Sequence, residues 1–372
     1  MQTSLMARAL ALGASLLFTQ LAGAAGIVVA QVGPMSGLEA NQGRAYGIGL
    51  QLALAAAGKA GPHTFTVVRK DDGGRPDDTV ALTKQVLAES RPLVLSGYFG
   101  ARNLTDVLAA GLLEKEKIAI VGYRASEVHA ETPFMYNVRA GLREEVAKII
   151  EHLSTVGITR LGLFYEDGPG AAPLLAVVDE VTRRTGATVT AKASYPAGTA
   201  KVAPAIESML AANVQAIVML GTGSAAANFI EQYRVSGGTA QLFAQSAVDV
   251  ELLAKRVGED TMKGISITQV VPSPYKMSVR VAKEFADAVA ATPNPEMPVS
   301  YAMMEGYIAG KVIAEAARRM GPRASREGFI AAMDAMDAYD MGGYRVAYKP
   351  GARGGSRFVE MSIISATGRI RQ

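Results

Sequence analysis

Two arginines, a glycine-rich helix start and a pair of aspartates are the residues here whose surroundings could do chemistry. Arg102 lies in "SGYFGARNLT" (Ser96–Thr105) and Arg124 in "VGYRASEV" (Val121–Val128); each segment follows an apolar run and precedes a possible helix start. Such a corner offers free backbone N–H groups, a small polar side chain and a guanidinium that can grip a carboxylate bidentately. "GTGSAA" at Gly221–Ala226 has the same shape. It also reads as GxGxxA, a dinucleotide fingerprint, but that fingerprint wants an acid about 20 residues further on. The stretch from Ala240 to Ser246 reads "AQLFAQS" and supplies none. The plainer reading is a helix N-terminus pointing its N–H groups at a ligand carboxylate.

Other chemistries lack their residues. His63, His129 and His152 are far apart in sequence and none has a partner at i+3 or i+4, so no metal site is expected. Asp71 and Asp72 could pass for a metal pair, but "RKDDGGRP" reads as a turn whose second aspartate caps or braces the next helix. There is no GxSxG elbow and no GxxxxGK[ST] loop. No catalytic residue and no cofactor are therefore expected. A secreted α/β hydrolase or oxidoreductase is the rival class, and it has no signature here.

The corners need strands and helices to hold them. Apolar runs at Ile27–Val32, Thr64–Arg69, Leu93–Ser96, Ile118–Val121, Leu161–Tyr165, Thr188–Ala193, Ala216–Leu220, Leu242–Ala244 and Ile265–Val270 read as strands. Amphipathic stretches at 76–89, 103–116, 142–156, 173–185, 201–212 and 224–236 alternate with them. Near-continuous apolar strands between helices argue parallel sheets covered on both faces. The fold class is α/β: two doubly wound, Rossmann-like lobes, with ligands held where loops leave the carboxyl ends of the strands. Towards the C-terminus the rhythm changes. Helical stretches at 276–290, 300–320 and 325–336 follow one another, and then "GGYRVAY" and "GSRFVEMSII" alternate like antiparallel strands around a turn at 350–355. A late segment that returns to a sheet already built implies several crossings between lobes, and those crossings form a hinge.

The N-terminus speaks of place. Arg8, then "ALALGASLLFTQLAGA", then the small-x-small Ala22-Gly23-Ala24 read as a secretory signal peptide, cleaved near Ala24/Ala25. Thr19 and Gln20 interrupt the apolar run, and a spanning anchor needs about 20 apolar residues. The chain has no cysteine, so it forms no disulfide and is not a lipoprotein with a modified N-terminal Cys. A monomer in the periplasm is expected. A net charge of +4 with no Lys/Arg block makes nucleic acid no partner.

One family draws these features together. "VGPMSGLEANQG", "KDDGGRPDDTV", "SGYFGARN", "FYEDGPGA", "GISITQVVPSPY", "SYAMMEGYIAGKVIAEAARRMG" and "YDMGGYRVAY" occur in the order found in type I periplasmic solute-binding proteins of the leucine/isoleucine/valine-binding family. The chain resembles that family over essentially its whole length after residue 24. The resemblance implies two lobes joined by three crossings, 25–141 plus 272–340 and 142–271 plus 341–372. It also implies one small ligand in the cleft, no catalysis, and permease subunits of an inner-membrane ABC importer as partners. A sensory module feeding a receptor kinase has the same fold and is the alternative.

The family's first loop brings an aromatic wall; the matching residue is Gln42. The serine that holds the ligand carboxylate falls at Ala101, beside Arg102. The next loop's threonine is matched by Ser126, and its backbone neighbour by Arg124 or Ala125. The second lobe's tyrosine falls at Gly170, and the acid that takes the ligand's amino group falls at Ala247, with Asp249 two residues on. An aromatic at the C-terminal helix start matches Tyr301. On closure Tyr165 and Ser224 would complete the shell. The carboxylate end is kept while the ammonium acid and two aromatics are not, which implies an acid with a second anionic group or with no amino group.

Overall fold

The structure is a computed structural model and describes residues 25–125, 131–168, 170–251, 253, 264–293, 296–364 and 370–371. The first lobe is built on a parallel sheet with strand order β2-β1-β3-β5-β7: β1 Ala25–Gly33, β2 His63–Asp71, β3 Val94–Ser96, β5 Ala119–Val121 and β7 Met135–Tyr136. Two more strands, β4 (Tyr98–Phe99) and β6 (Tyr123–Arg124), pair with each other as a separate parallel ribbon. Gly97 and Gly122 cause that split. Each takes a left-handed φ, 69° and 74°, and turns its strand out of the sheet. A Cβ at Gly122 would stand 2.2 Å from the Tyr46 hydroxyl. The two-residue strands show no periodicity, so the sequence did not announce them.

Helices α1 (Ala40–Ala60), α2 (Pro76–Ser90), α3 (Ala101–Ala109) and α4 (Leu112–Glu116) cover this sheet. The single helix read over 103–116 is broken by Gly111, which takes φ 62° at the start of α4. Asp72 braces α2 as expected: it accepts from the Thr79 hydroxyl at 2.7 Å and from Gly74 N–H at 2.8 Å. No group of His, Asp and Glu fit for a metal occurs among the described residues.

The second lobe has a seven-stranded sheet. It is assembled from β8 (Arg160–Asp167), β9 (Thr188–Pro196), β10 (Ala216–Leu220), β11 (Gln241–Ala244), β12 (Ser266–Gln269), β16 (Glu360–Ile364) and β17 (Ile370–Arg371), in the order β17-β16-β12-β11-β10-β8-β9. Strands β8 to β12 are parallel; β16 runs antiparallel to β12, with Ser266 opposite Ile363. Helices α5 (Leu142–Thr155), α6 (Ala171–Thr185), α7 (Ala203–Ala212) and α8 (Gly223–Val235) accompany them. Thr222 caps α8, its hydroxyl accepting from Ala225 N–H at 3.4 Å.

Helices α9 (Arg280–Ala290), α10 (Tyr301–Met320) and α11 (Arg326–Asp334) belong with the first sheet. Ser300 caps α10 through Met303 N–H at 3.2 Å. Then α10 lies directly on α1: a Cβ at Gly49 would meet Met303 O at 1.8 Å, and one at Gly306 would meet Tyr46 O at 2.0 Å. Only glycine lets the two backbones approach so closely. A small antiparallel sheet, β13 (Tyr339–Asp340), β14 (Arg345–Lys349) and β15 (Ala352–Gly355), follows, with β15 lying in the segment read as a turn.

The chain passes between the two large sheets three times: after β7, after β12 and before β16. The passages are tied together by tyrosines. The Tyr344 hydroxyl lies 2.6 Å from Val138 O on the first and 2.9 Å from Val270 O on the second. Tyr348 donates to Asn137 O at 2.7 Å.

Candidate ligand site between the lobes

The carboxyl ends of both sheets face each other, and the loops that leave them meet. From the first lobe, the β1–α1 loop brings Glu39 and the first turn of α1 brings Gln42. From the second come the start of α8 and the 245–251 segment after β11. Gln42 Nε2 donates to Glu39 Oε2 at 2.8 Å and to Ala247 O at 2.9 Å. Glu39 Oε1 accepts from the Ser224 hydroxyl at 3.2 Å and from Ser224 N–H at 3.5 Å. Burial pushes the Glu39 carboxyl above the usual range; Ser224 and Arg124 offset part of that, and Asp249 adds to it.

Behind this contact lies a buried charge cluster. Arg124, delivered by β6, donates through Nη2 to Ser246 O at 3.0 Å, and its Nε lies 3.4 Å from Glu305 on α10. Its guanidinium stands over the Phe99 ring at 5.4 Å. Its Nη1 has no hydrogen-bond partner, although the residue is only 8% exposed. Arg139, on the first passage, pairs with Glu145 at 3.0 Å, sits 3.7 Å from Glu305 and donates to the Ser246 hydroxyl. Glu145 also accepts from Ser246 N–H at 2.7 Å and from the Thr268 hydroxyl at 2.5 Å. Burial works against the Arg139 charge, but Glu305 and Glu145 outweigh it and hold its pKa above the usual value. Buried ions persist when paired and hydrogen-bonded in this way.

A second buried acid closes one flank. Glu251 accepts from the Tyr275 hydroxyl and from Tyr301 N–H, both at 3.0 Å. Burial, reinforced by the Asp249 charge, pushes its carboxyl up to about 7.

The residues singled out in the sequence fall as follows. Gln42, Arg124, Ser224 and Ala247 come together where the lobes meet, through the bonds just given. Asp249 is near enough to act on Glu39 and Glu251. Tyr301 starts α10, packs edge-on against Tyr275 at 6.3 Å, and places its hydroxyl 3.4 Å from Ser362. Ala101 opens α3 and Ala125 ends the β6 corner; Ser126 lies outside the described residues. Arg102 is paired one helical turn on with Asp106 at 2.8 Å, and its side chain is 62% exposed. The i, i+4 spacing on α3 offers that partner locally, so the two arginines are not equivalent. Tyr165 packs against the second-lobe core. Gly170 caps α6 and lines a hinge-side groove of about 910 Å³ with Leu142, Tyr348 and Ser356. Sequence reading passed over Glu39, Arg139, Glu145, Ser246, Glu251 and Glu305. Glu39 sits inside the quoted "VGPMSGLEANQG", and an acid in a cleft loop was a usable signal; the others became visible only through their partners.

The periplasmic binding protein family model matches residues 26–360. The chain belongs to that family. Among solved structures it is similar to a substrate-binding periplasmic protein from Ralstonia solanacearum, with 33% identity, a TM-score of 0.87, and coverage of 92% of this chain and 99% of that one. It is also similar to an extracellular ligand-binding receptor from Verminephrobacter eiseniae, with 25% identity, a TM-score of 0.85, and coverage of 94% and 100%. A possible leucine/isoleucine/valine-binding protein from Rhodopirellula baltica shares the fold, with 23% identity, a TM-score of 0.86, and coverage of 94% and 96%. No curated protein sequence matches the chain. As a periplasmic binding protein it binds a solute and is not an enzyme. No helix among the described residues is long and apolar enough to cross a membrane.

Proposed function

We propose that this periplasmic binding protein is the receptor of an ABC importer, and that it closes around one small carboxylate compound and presents it to a membrane permease. The observation that carries the carboxylate is Arg124: a guanidinium brought by β6 to the meeting of the lobes, buried, with Nη1 lacking a hydrogen-bond partner. A buried donor left unpaired is costly, and a carboxylate is its natural acceptor. Solved relatives with the same fold support the class: one from R. palustris was crystallised with 4-hydroxybenzoate and one from Streptococcus pneumoniae with isoleucine. Ala101, Ala125 and Ser126 would supply the rest of the carboxylate end, while Ser224, Ala247 and Asp249 would line the far end from the second lobe. The lobes are 25–141 with 272–340 and 142–271 with 341–372; residues 1–24 direct export, and the monomer works in the periplasm. The mechanism is hinge closure, in which ligand selects the closed arrangement. Native mass spectrometry of the purified protein tests it. A retained small acid, lost in Arg124→Ala, is the expected result; a retained compound without a carboxylate would overturn the reading.

A further inference from the structure

We infer that Glu39 sets the charge of the ligand: the cleft admits a monocarboxylate whose far end donates a hydrogen bond, and it refuses a second anionic group. This rests on the carboxylate reading above and deepens it. In an α/β lobe the N-terminus of a helix such as α8 is the natural seat for an anion, because its first N–H groups are unpaired and its dipole is positive there. In this protein the opposite lobe fills that seat. Glu39 Oε1 takes the hydroxyl and the N–H of Ser224, and Glu39 Oε2 is fixed by Gln42. The seat is also tight. A Cβ at Gly223 would stand 2.8 Å from Ala247 O and 3.0 Å from Gln42 Nε2. A ligand carboxylate therefore has no vacant place at α8.

The charges agree. Asp249 raises the proton affinity of Glu39, so carboxylates from both lobes already act on one space, whereas Arg124 favours the ionised form of Glu39. A second ligand anion would meet Glu39 and Asp249 in a buried setting, where like charges repel strongly. A hydroxyl or an amine at that end would instead find acceptors. Arg124 is left to hold the single carboxylate, through the Nη1 that the protein does not pair.

Matched ligands test the rule. Affinities of 4-hydroxybenzoate and terephthalate, and of 4-hydroxybutyrate and succinate, are measured by calorimetry on wild type and Glu39→Gln. Gln keeps the shape and one accepting oxygen and removes the charge; Glu39→Ala serves as the second variant should Gln fold poorly, and melting without ligand reports folding. In parallel, each protein is incubated with an equimolar mixture of mono- and dicarboxylic acids, desalted, and its retained compounds are identified by mass. Wild type should prefer the hydroxy acid of a pair by at least tenfold and retain monoanions only. Glu39→Gln should narrow that preference at least tenfold and retain dianions as well. A wild type that holds dicarboxylates as tightly as their hydroxy partners overturns the inference, as does a preference that survives loss of the Glu39 charge. If neither protein retains any acid, the carboxylate reading itself fails and the charge rule falls with it; that outcome differs from acids retained without discrimination.

Discussion

Gln42 Nε2 donates across the cleft to the backbone carbonyl of Ala247, at 2.9 Å and 205 residues further along the chain. The same nitrogen holds Glu39, so one amide both positions the lobe-one acid and ties the lobes together. Gln42→Ala should loosen the closed arrangement while leaving each lobe's core intact. Loss of two hydrogen bonds, each about 0.5–1.5 kcal/mol, sets the scale. The chain has no cysteine, so spin labels at Lys84→Cys and Glu207→Cys report the interlobe distance without background. A longer mean distance in the variant, with unchanged melting of the lobes, is expected; identical distributions would count against the role.

Tyr344 offers one proton to two carbonyls, Val138 O and Val270 O. Tyr344→Phe leaves both buried acceptors without that donor, a loss of about 1–3 kcal/mol. Chemical denaturation should show a lower midpoint with little change in slope. A midpoint equal to wild type would mean the hydroxyl does not bind the passages.

Arg139 is the cation shared by Glu145 and Glu305. Arg139→Met keeps the stem, leaves the buried Glu145 without its cation and leaves Glu305 with Arg124 alone. Breaking a buried pair in this way costs about 3–5 kcal/mol, so this variant should be the least stable of the series. Stability within about 1 kcal/mol of wild type would show the cluster to be dispensable.

Glu251 gives a pH dependence. Burial raises its carboxyl to about 7 in the folded protein, from 4.5. The stability it contributes is therefore fully present below about 4.5 and is lost as pH rises through about 7. Glu39 is raised by burial too and acts in the same direction. The melting temperature of wild type should fall between pH 5 and pH 8, and Glu251→Gln should flatten that fall; an equal slope in both proteins would rule out Glu251 as its source.

Gly306 lies where α10 meets the backbone of α1, and a Cβ there would reach 2.0 Å from Tyr46 O. Gly306→Ala must push the helices apart. Overpacking of this kind typically costs 1–3 kcal/mol and occasionally more, despite the better helix propensity of alanine. A melting temperature several degrees lower is expected, and a raised one would show that the interface yields without strain.

The sequence by itself determined the layers. Apolar runs of four to seven residues alternating with amphipathic stretches specify parallel strands and their helices because that information is local and periodic. So the nine strands read from it lie within, or overlap, strands of the two large sheets. The bracing of α2 by Asp72 was equally local, seven residues from Thr79. Local reading failed where the signal was too short or was overridden: β4 and β6 are two residues each, and Gly111 divides a helix that periodicity alone would continue.

Only the tertiary structure decided how the cleft is furnished. Arg102 and Arg124 look alike in sequence, but α3 gives Arg102 a partner four residues on, whereas the glycine turn at Gly122 sends Arg124 into a cluster drawn from Glu305 and Ser246. Glu39 meets Ser224 across 185 residues, and Arg139 meets Ser246 across 107. Such meetings depend on how two separately built sheets face one another through three passages. Periodicity is blind to that arrangement, because hydrophobic pattern fixes which face of an element is buried and leaves open which distant polar group will stand opposite it.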